Sequence, residues 1–259
     1  MARELQDVLH YFLPDPIGPI EISDRLAAPP ARRVSVLVAE RDLVRLALSW
    51  NLAVAAAQLG ARVSLVVPPD PHRCAPWPRR GPGPLGVEVS QAESSRLSAL
   101  ATAAHGAAQR IAARPGVPAL VLTVVPLVRV HAASDAGSLL DHVLLLTRPD
   151  ERELVETWAG LGAISAQAPH AHIGVSVFGV SSLADARRAF EGLAALAELE
   201  LARPLASYGV LIDDVHLSRS IVSQRPITLS QPASPAARAL ADVATMLLED
   251  AGDPAERPG

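Results

Sequence analysis

The chain has 259 residues, 49% of them hydrophobic, with 19% charged residues and a formal net charge of −4. That length supports one large domain with a sizeable core. The weakly acidic balance and the 3% aromatic content exclude a nucleic-acid binder held by bulk charge or by base stacking. All 23 basic residues are arginine, so no lysine is available as a Schiff base, a general base or the cation of a phosphate-binding loop. The single cysteine, Cys74, excludes an intramolecular disulfide and a multi-cysteine zinc site, and fits a reduced, cytoplasmic setting. Residues 1–14 carry Glu4 and Asp7 among their apolar residues, unlike a signal peptide, and no apolar stretch is long enough to span a bilayer.

In chain order, residues 1–13 have helical spacing, with Leu5, Val8, Leu9 and Phe12 on one face. Prolines 14, 16 and 19 end that helix, and 14–31 reads as a Pro-rich strap. A strand is predicted at Val34–Val38, a helix from Asp42 to Leu59 closing on Gly60, and a strand at Arg62–Val67. The Pro/Gly/Arg stretch 68–86 predicts an exposed loop. A weak strand at Gly86–Ser90 and an Ala-rich helix near 94–113 follow. Continuous apolar runs at Ala119–Val125, Val143–Thr147 and Ile173–Val177 predict strands covered on both faces. Helices are predicted near 150–161 and 182–200, a strand at Tyr208–Ile212, and helices near 214–223 and 234–249. Strands alternating with helices give an α/β fold with a mostly parallel sheet between two helical layers. Residues 32–250 are expected to form that domain, 1–31 an N-terminal helix and strap, and 251–259 a disordered tail.

The frame of residues 34–67, with Asn51-Leu52-Ala53 and Leu59-Gly60 at fixed distances after a strand, resembles the opening of the MinD/ParA family of P-loop ATPases. Residues 139–158, where a strand ends in Thr147 and a proline (Pro149) precedes a helix, resemble a later strand of that family. Residues 206–244 are similar to its closing segment: an acidic pair (Asp213-Asp214), Ser220, Arg225-Pro226, and Pro232-Ala233-Ser234-Pro235 before a last helix. That ending is most like the flagellar-number regulators, the FlhG-like branch. The resemblance covers roughly residues 32–249 and implies a three-layer α/β/α domain of the P-loop NTPase (MinD/ParA, SIMIBI) type.

The resemblance also marks what has changed. A P-loop uses glycines to let backbone N–H groups curl round phosphates, a lysine to bridge them, and a Ser/Thr hydroxyl to ligate Mg²⁺. The matching positions here are Ala39, Glu40, Arg41, Asp42, Leu43, Val44, Arg45, Leu46 and Ala47. Glu40 replaces the lysine that reaches a partner subunit's nucleotide, Arg45 replaces the P-loop lysine, and Leu46 the Mg²⁺ hydroxyl. Of the family's V-D-x-D phrase only Asp70 stands nearby. The aspartate of its D-x-P aligns with Val124, and the base-reading Asn with Phe178. Carboxylates at 40 and 42 would stand where phosphates lie, at a cost of about 4 kcal/mol per like-charge contact at 4 Å. The expectation is a pseudo-ATPase: no catalytic residues, no bound cofactor and no hydrolysis.

Other constellations carry less. His170 and His172 lack a third ligand for a metal. His131, Ser134 and Asp135 share one loop and no nucleophile elbow. Asp213-Asp214 reads as an N-cap, and Arg79-Arg80 is too small a patch for nucleic acid. Trp77 is a candidate protein contact or a loop anchor. His10, Tyr11 and Phe12 sit on the N-terminal helix, which either engages a partner, as in the FlhG-like branch, or packs on its own body; the branch's D-Q-A-x-x-L-R phrase is absent. The C-terminal tail lacks the basic amphipathic helix by which MinD proteins hold membranes.

The expected function is a non-hydrolysing scaffold or regulator that positions or assembles a cellular machine (flagellum, pilus or related) through protein contacts. Its partner would be an active MinD-like ATPase, an SRP-type GTPase or a machine component. Any homodimer would not be nucleotide-sandwiched. The alternative is a nucleotide- or anion-binding sensor without turnover, using Arg41 and Arg45.

Overall fold

The computed structural model describes residues 31–39, 42–69, 76–77, 82–112, 117–132 and 137–250. His10, Tyr11, Phe12, the strap, Glu40, Arg41, Asp70, Arg79-Arg80, Ser134, Asp135 and the tail lie outside them.

Seven strands form one sheet: β1 (Arg32–Val38), β2 (Arg62–Val67), β3 (Glu88–Gln91), β4 (Ala119–Pro126), β5 (His142–Thr147), β6 (His172–Val180) and β7 (Ala206–Ile212). Their order is β3-β2-β4-β1-β5-β6-β7, and every pairing is parallel. The central β1 sets the register, with Val36 opposite Val124 on one side and Leu144 on the other.

The helices are α1 (Leu43–Gln58), α2 (Leu97–Ile111), α3 (Leu127–His131), α4 (Glu151–Gln167), α5 (Leu183–Leu201), α6 (Val215–Ser223), α7 (Ile227–Ser230) and α8 (Pro235–Glu249). They cover both faces, which is why the central strands are buried at successive positions and mostly apolar along their length, with Ser35, Ser64, Thr123 and Ser176 as buried exceptions. Val34, Val36, Leu120, Leu122, Leu144 and Leu146 pack with α1 and α8. The intervening Leu37, Val121, Val125, Val143 and Leu145 pack with α2 and α4. Fully buried leucines such as Leu48, Leu122 and Leu161 each contribute roughly 1.5–3 kcal/mol.

The elements run longer than predicted where packing continues past the obvious pattern. Helix α4 extends to Gln167 because Leu161 and Ile164 keep a buried stripe going until Pro169 stops it. Strand β6 continues to Val180 through irregular register with β7. The short α3 and α7 were not predicted; each starts directly after a proline, Pro126 and Pro226. The 68–86 stretch is not simply an exposed loop where it is described. Pro76 is buried, Trp77 is half-buried against the α1 face, and Gly83 lies so near Trp50 that a Cβ would sit 2.6 Å from the indole ring.

The closing motif is made of caps. Asp214 accepts the His216 N–H at 2.8 Å, starting α6, and its other oxygen accepts Ala236 N–H in the first turn of α8 at 3.3 Å. Ser234 caps α8 through Ala237 N–H, with Pro235 as the first helical residue. Asp213 is exposed, its backbone N–H donating to Val180.

Candidate functional site

In open α/β sheets the ligand crevice lies at the carboxyl ends of the strands, where the strand order reverses. Here that point lies at the carboxyl end of β1, flanked by β4 and β5, with α1 leading away from it. Asp42 begins α1 by accepting the Arg45 backbone N–H at 2.9 Å. It is an acidic N-cap at the positive end of the helix, a favourable place for a carboxylate. One turn on, the Arg45 side chain does not reach outward to solvent. Its exposure is 8%.

Each guanidinium nitrogen has a partner. Nε donates to the Leu146 carbonyl of β5 at 2.7 Å, Nη1 to Asp42, and Nη2 to Glu153 of α4. The carboxylates are themselves largely covered, at 15% and 23% side-chain exposure. Burial opposes the charge on Arg45, but the hydrogen bonds and charges of Asp42 and Glu153 outweigh it, and its pKa lies above the ordinary value. The Phe178 ring closes the site from β6, with the Arg45 guanidinium carbon 5.3 Å from its centroid and that of Arg148 at 5.0 Å.

Beside this cluster the crevice retains about 30 Å³, bordered by Leu37, Ala39, Arg45, Leu127, Thr157 and Gly160. That is room for a water or two. Under it, Thr157 Oγ1 lies 2.8 Å from both Thr147 Oγ1 and the Glu153 carbonyl, so the threonine that ends β5 fastens α4 to the sheet. Among the described residues, the start of α1 presents the Asp42 carboxylate, Arg45 is paired with Asp42 and Glu153, and Leu46 carries no hydroxyl.

The expectation that Arg45 could hold an external anion therefore meets a specific geometry, because all three of its nitrogens already serve acceptors of this chain. Ala39, Asp42, Val44 and Leu46 stand around the start of α1, with Val44 and Leu46 packed towards the core. Val124 is buried in β4. Glu153 and Leu146 were not singled out from sequence. The only local signal for Glu153 is its place three residues after the N-cap Asp150. Nothing in the sequence joins it to Arg45, 108 positions away.

A second opening, about 400 Å³, lies between α4 and α5 beyond the carboxyl end of β6, lined by Pro149, Leu154, Ser181 and an Asp185–Arg188 ion pair. Gly179 is at φ +68°, with Arg148 packed over it. His172 meets His142 (ring centroids 5.8 Å apart), and among the described residues no group of three ligands could hold a metal. His131 Nδ1 lies 3.1 Å from the Leu127 carbonyl within its own helix. No described helix is long and apolar enough to cross a membrane.

By sequence, no family model and no curated protein matches the chain. By structure, the chain is similar to the MinD cell division protein of Aquifex aeolicus at 14% identity, with a TM-score of 0.61 over 88% of this chain and 100% of that one. It is similar to the protein in the MinC:MinD cell division complex of the same organism at 16% identity, TM-score 0.59, over 88% and 100%. The ParA family ATPase from Chlorobium tepidum TLS aligns at 13% identity, TM-score 0.59, over 84% and 99%. The seven-stranded parallel sheet between two helical layers is the fold of the MinD/ParA P-loop NTPases.

Proposed function

We propose that this chain is a non-hydrolysing MinD/ParA-like protein that acts as a scaffold or regulator, working through its surfaces on a partner in the positioning or assembly of a cellular machine. The observation that carries the reading is Arg45. At the point where the fold would seat a nucleotide, the one basic side chain on α1 is neutralised by Asp42 and Glu153. A site that hydrolyses a nucleoside triphosphate needs donors and a metal aimed at developing phosphate charge. The carboxylates here carry the same sign as phosphate and would repel it. A protein complex as the mode of action is supported by the similar MinC:MinD assembly. A flagellar machine rests on the FlhG-like ending of residues 206–244, and a cytoplasmic setting on the single Cys74.

With ATP or GTP and Mg²⁺, phosphate release by the purified chain is expected to equal the protein-free background. Turnover above background that Arg45→Ala abolishes would overturn the proposal. A second reading, an anion sensor without turnover, is favoured by Arg148, which is exposed and meets no carboxylate among the described residues. Calorimetry with ATP, ADP and GTP decides between them: saturable heat lost in Arg148→Ala supports the sensor.

A further inference from the structure

We propose that Glu153 is an intramolecular ligand of this fold: its carboxylate is the anion that Arg45 binds, and it holds the starts of α1 and α4 together in place of any external molecule. The inference rests on the reading of a site without turnover and specifies what occupies that site.

The two acidic partners of Arg45 are not equivalent. Asp42 is local, one turn before Arg45 on the same helix, and it also caps that helix. Glu153 arrives from α4 and links elements 108 residues apart. It stands in the first turn of α4, next to the N-cap Asp150, where a free glutamate would ordinarily fold back on its own helix start. Instead it reaches across to Arg45. The Leu146 carbonyl fixes the guanidinium from β5, and Phe178 covers it from β6. The receptor for a small carboxylate is thus complete: a fixed donor face, a covered back wall, and one acceptor delivered by the chain.

An interaction of this kind is worth most when it is desolvated, and losing one partner leaves the other charge buried without its answer. The consequence is a clasp that no nucleotide switches. Ligand-driven change requires differential affinity between two states, and a permanently tethered anion removes the state that an external anion would select.

The test is chemical rescue in the full-length chain, read as the melting temperature and amide exchange of wild type, Glu153→Gln, Glu153→Ala and the double variant Glu153→Ala/Arg45→Met. In Glu153→Gln, which keeps shape and loses charge, exchange in segments 42–46 and 147–157 is expected to rise about tenfold to a hundredfold while β2 and β4 stay protected. Formate at constant ionic strength should return the Glu153→Ala melting temperature towards wild type in a saturable way, with chloride inactive and the double variant unresponsive. Unchanged exchange in Glu153→Gln, or an equal formate response in Glu153→Ala and the double variant, overturns the proposal. ATP turnover by wild type would sink the proposed function and leave this result standing, so the two failures are separable.

Discussion

The side-chain oxygen of Asn51, inside α1, accepts the backbone N–H of Ile227 at 2.7 Å, across 176 positions of sequence. The same side chain donates to the Ala47 carbonyl at 2.8 Å. The phrase Asn51-Leu52-Ala53 and the residue that follows Arg225-Pro226 thus meet in one buried joint. Proline at 226 sets the chain entering α7, and Asn51 supplies the cap that Pro226 cannot. Asn51→Ala leaves a buried N–H without a partner and is expected to cost about 1–3 kcal/mol. Urea unfolding should show a lower midpoint with an unchanged slope.

Asp214 governs two helix starts with one carboxylate. Asp214→Ala is expected to cost roughly 1–2 kcal/mol, whereas Asp213→Ala, at an exposed neighbour, should stay within about 0.5 kcal/mol. Thermal melts of the two variants side by side check the difference. Equal effects would remove the double-cap assignment.

Gly174 lies under the ring of Tyr208, where an added Cβ would sit 2.0 Å from the ring carbon Cε2. The Tyr208 hydroxyl donates to Asp250 at the end of α8, so the ring is fixed at its far end and cannot swing away. Gly174→Ala is therefore expected to destabilise by about 1–3 kcal/mol through overpacking. In a Tyr208→Ala background the same change should cost much less. A double-mutant cycle in urea measures that coupling, and additive effects would contradict the contact.

His142 is the group through which acid should first be felt. Burial, then the charges of Arg32 and His172, hold its pKa down to about 4; Asp141 and Asp250 pull the other way without prevailing. The unfolded imidazole titrates near 6.5. Above that pH it is neutral in both states and the group has no effect on stability. As pH falls from about 6.5 to about 4, only the unfolded chain takes up the proton, so stability declines. His142→Asn should flatten the stability profile over that window. An unchanged slope between pH 6.5 and 4 would show that His142 is not the cause.

Much of this fold was legible because its strands are buried on both faces. Runs such as Ala119–Val125 and Val143–Thr147 cannot serve as anything else in a chain that alternates them with helical segments. The Asp213-Asp214 pair announced an N-cap by its side-chain chemistry, and Asp214 is the one that makes it. The site was half legible. Sequence placed Arg45 and Asp42 at the start of α1, but the partner that completes the cluster comes from another helix. Glu153 carries no local mark, since an acidic residue in the first turn of any helix is favourable in its own right. The length of α4 and β6 escaped for a related reason, being decided by what they pack against and not by their own composition.

The position of β1 has a bearing on how the molecule is made. It is the first strand of the sheet in chain order, yet it sits in the middle, and its two neighbours are Ala119–Pro126 and His142–Thr147. On the ribosome, Arg32–Val38 therefore emerges with neither edge matched, and 109 further residues, 39 to 147, must follow before both are. Non-local parallel pairing of this kind is slow and leaves strands open to wrong partners meanwhile. A nascent chain stalled before Thr147 should accordingly stay protease-sensitive and chaperone-bound, and become protected only once β5 has cleared the exit tunnel.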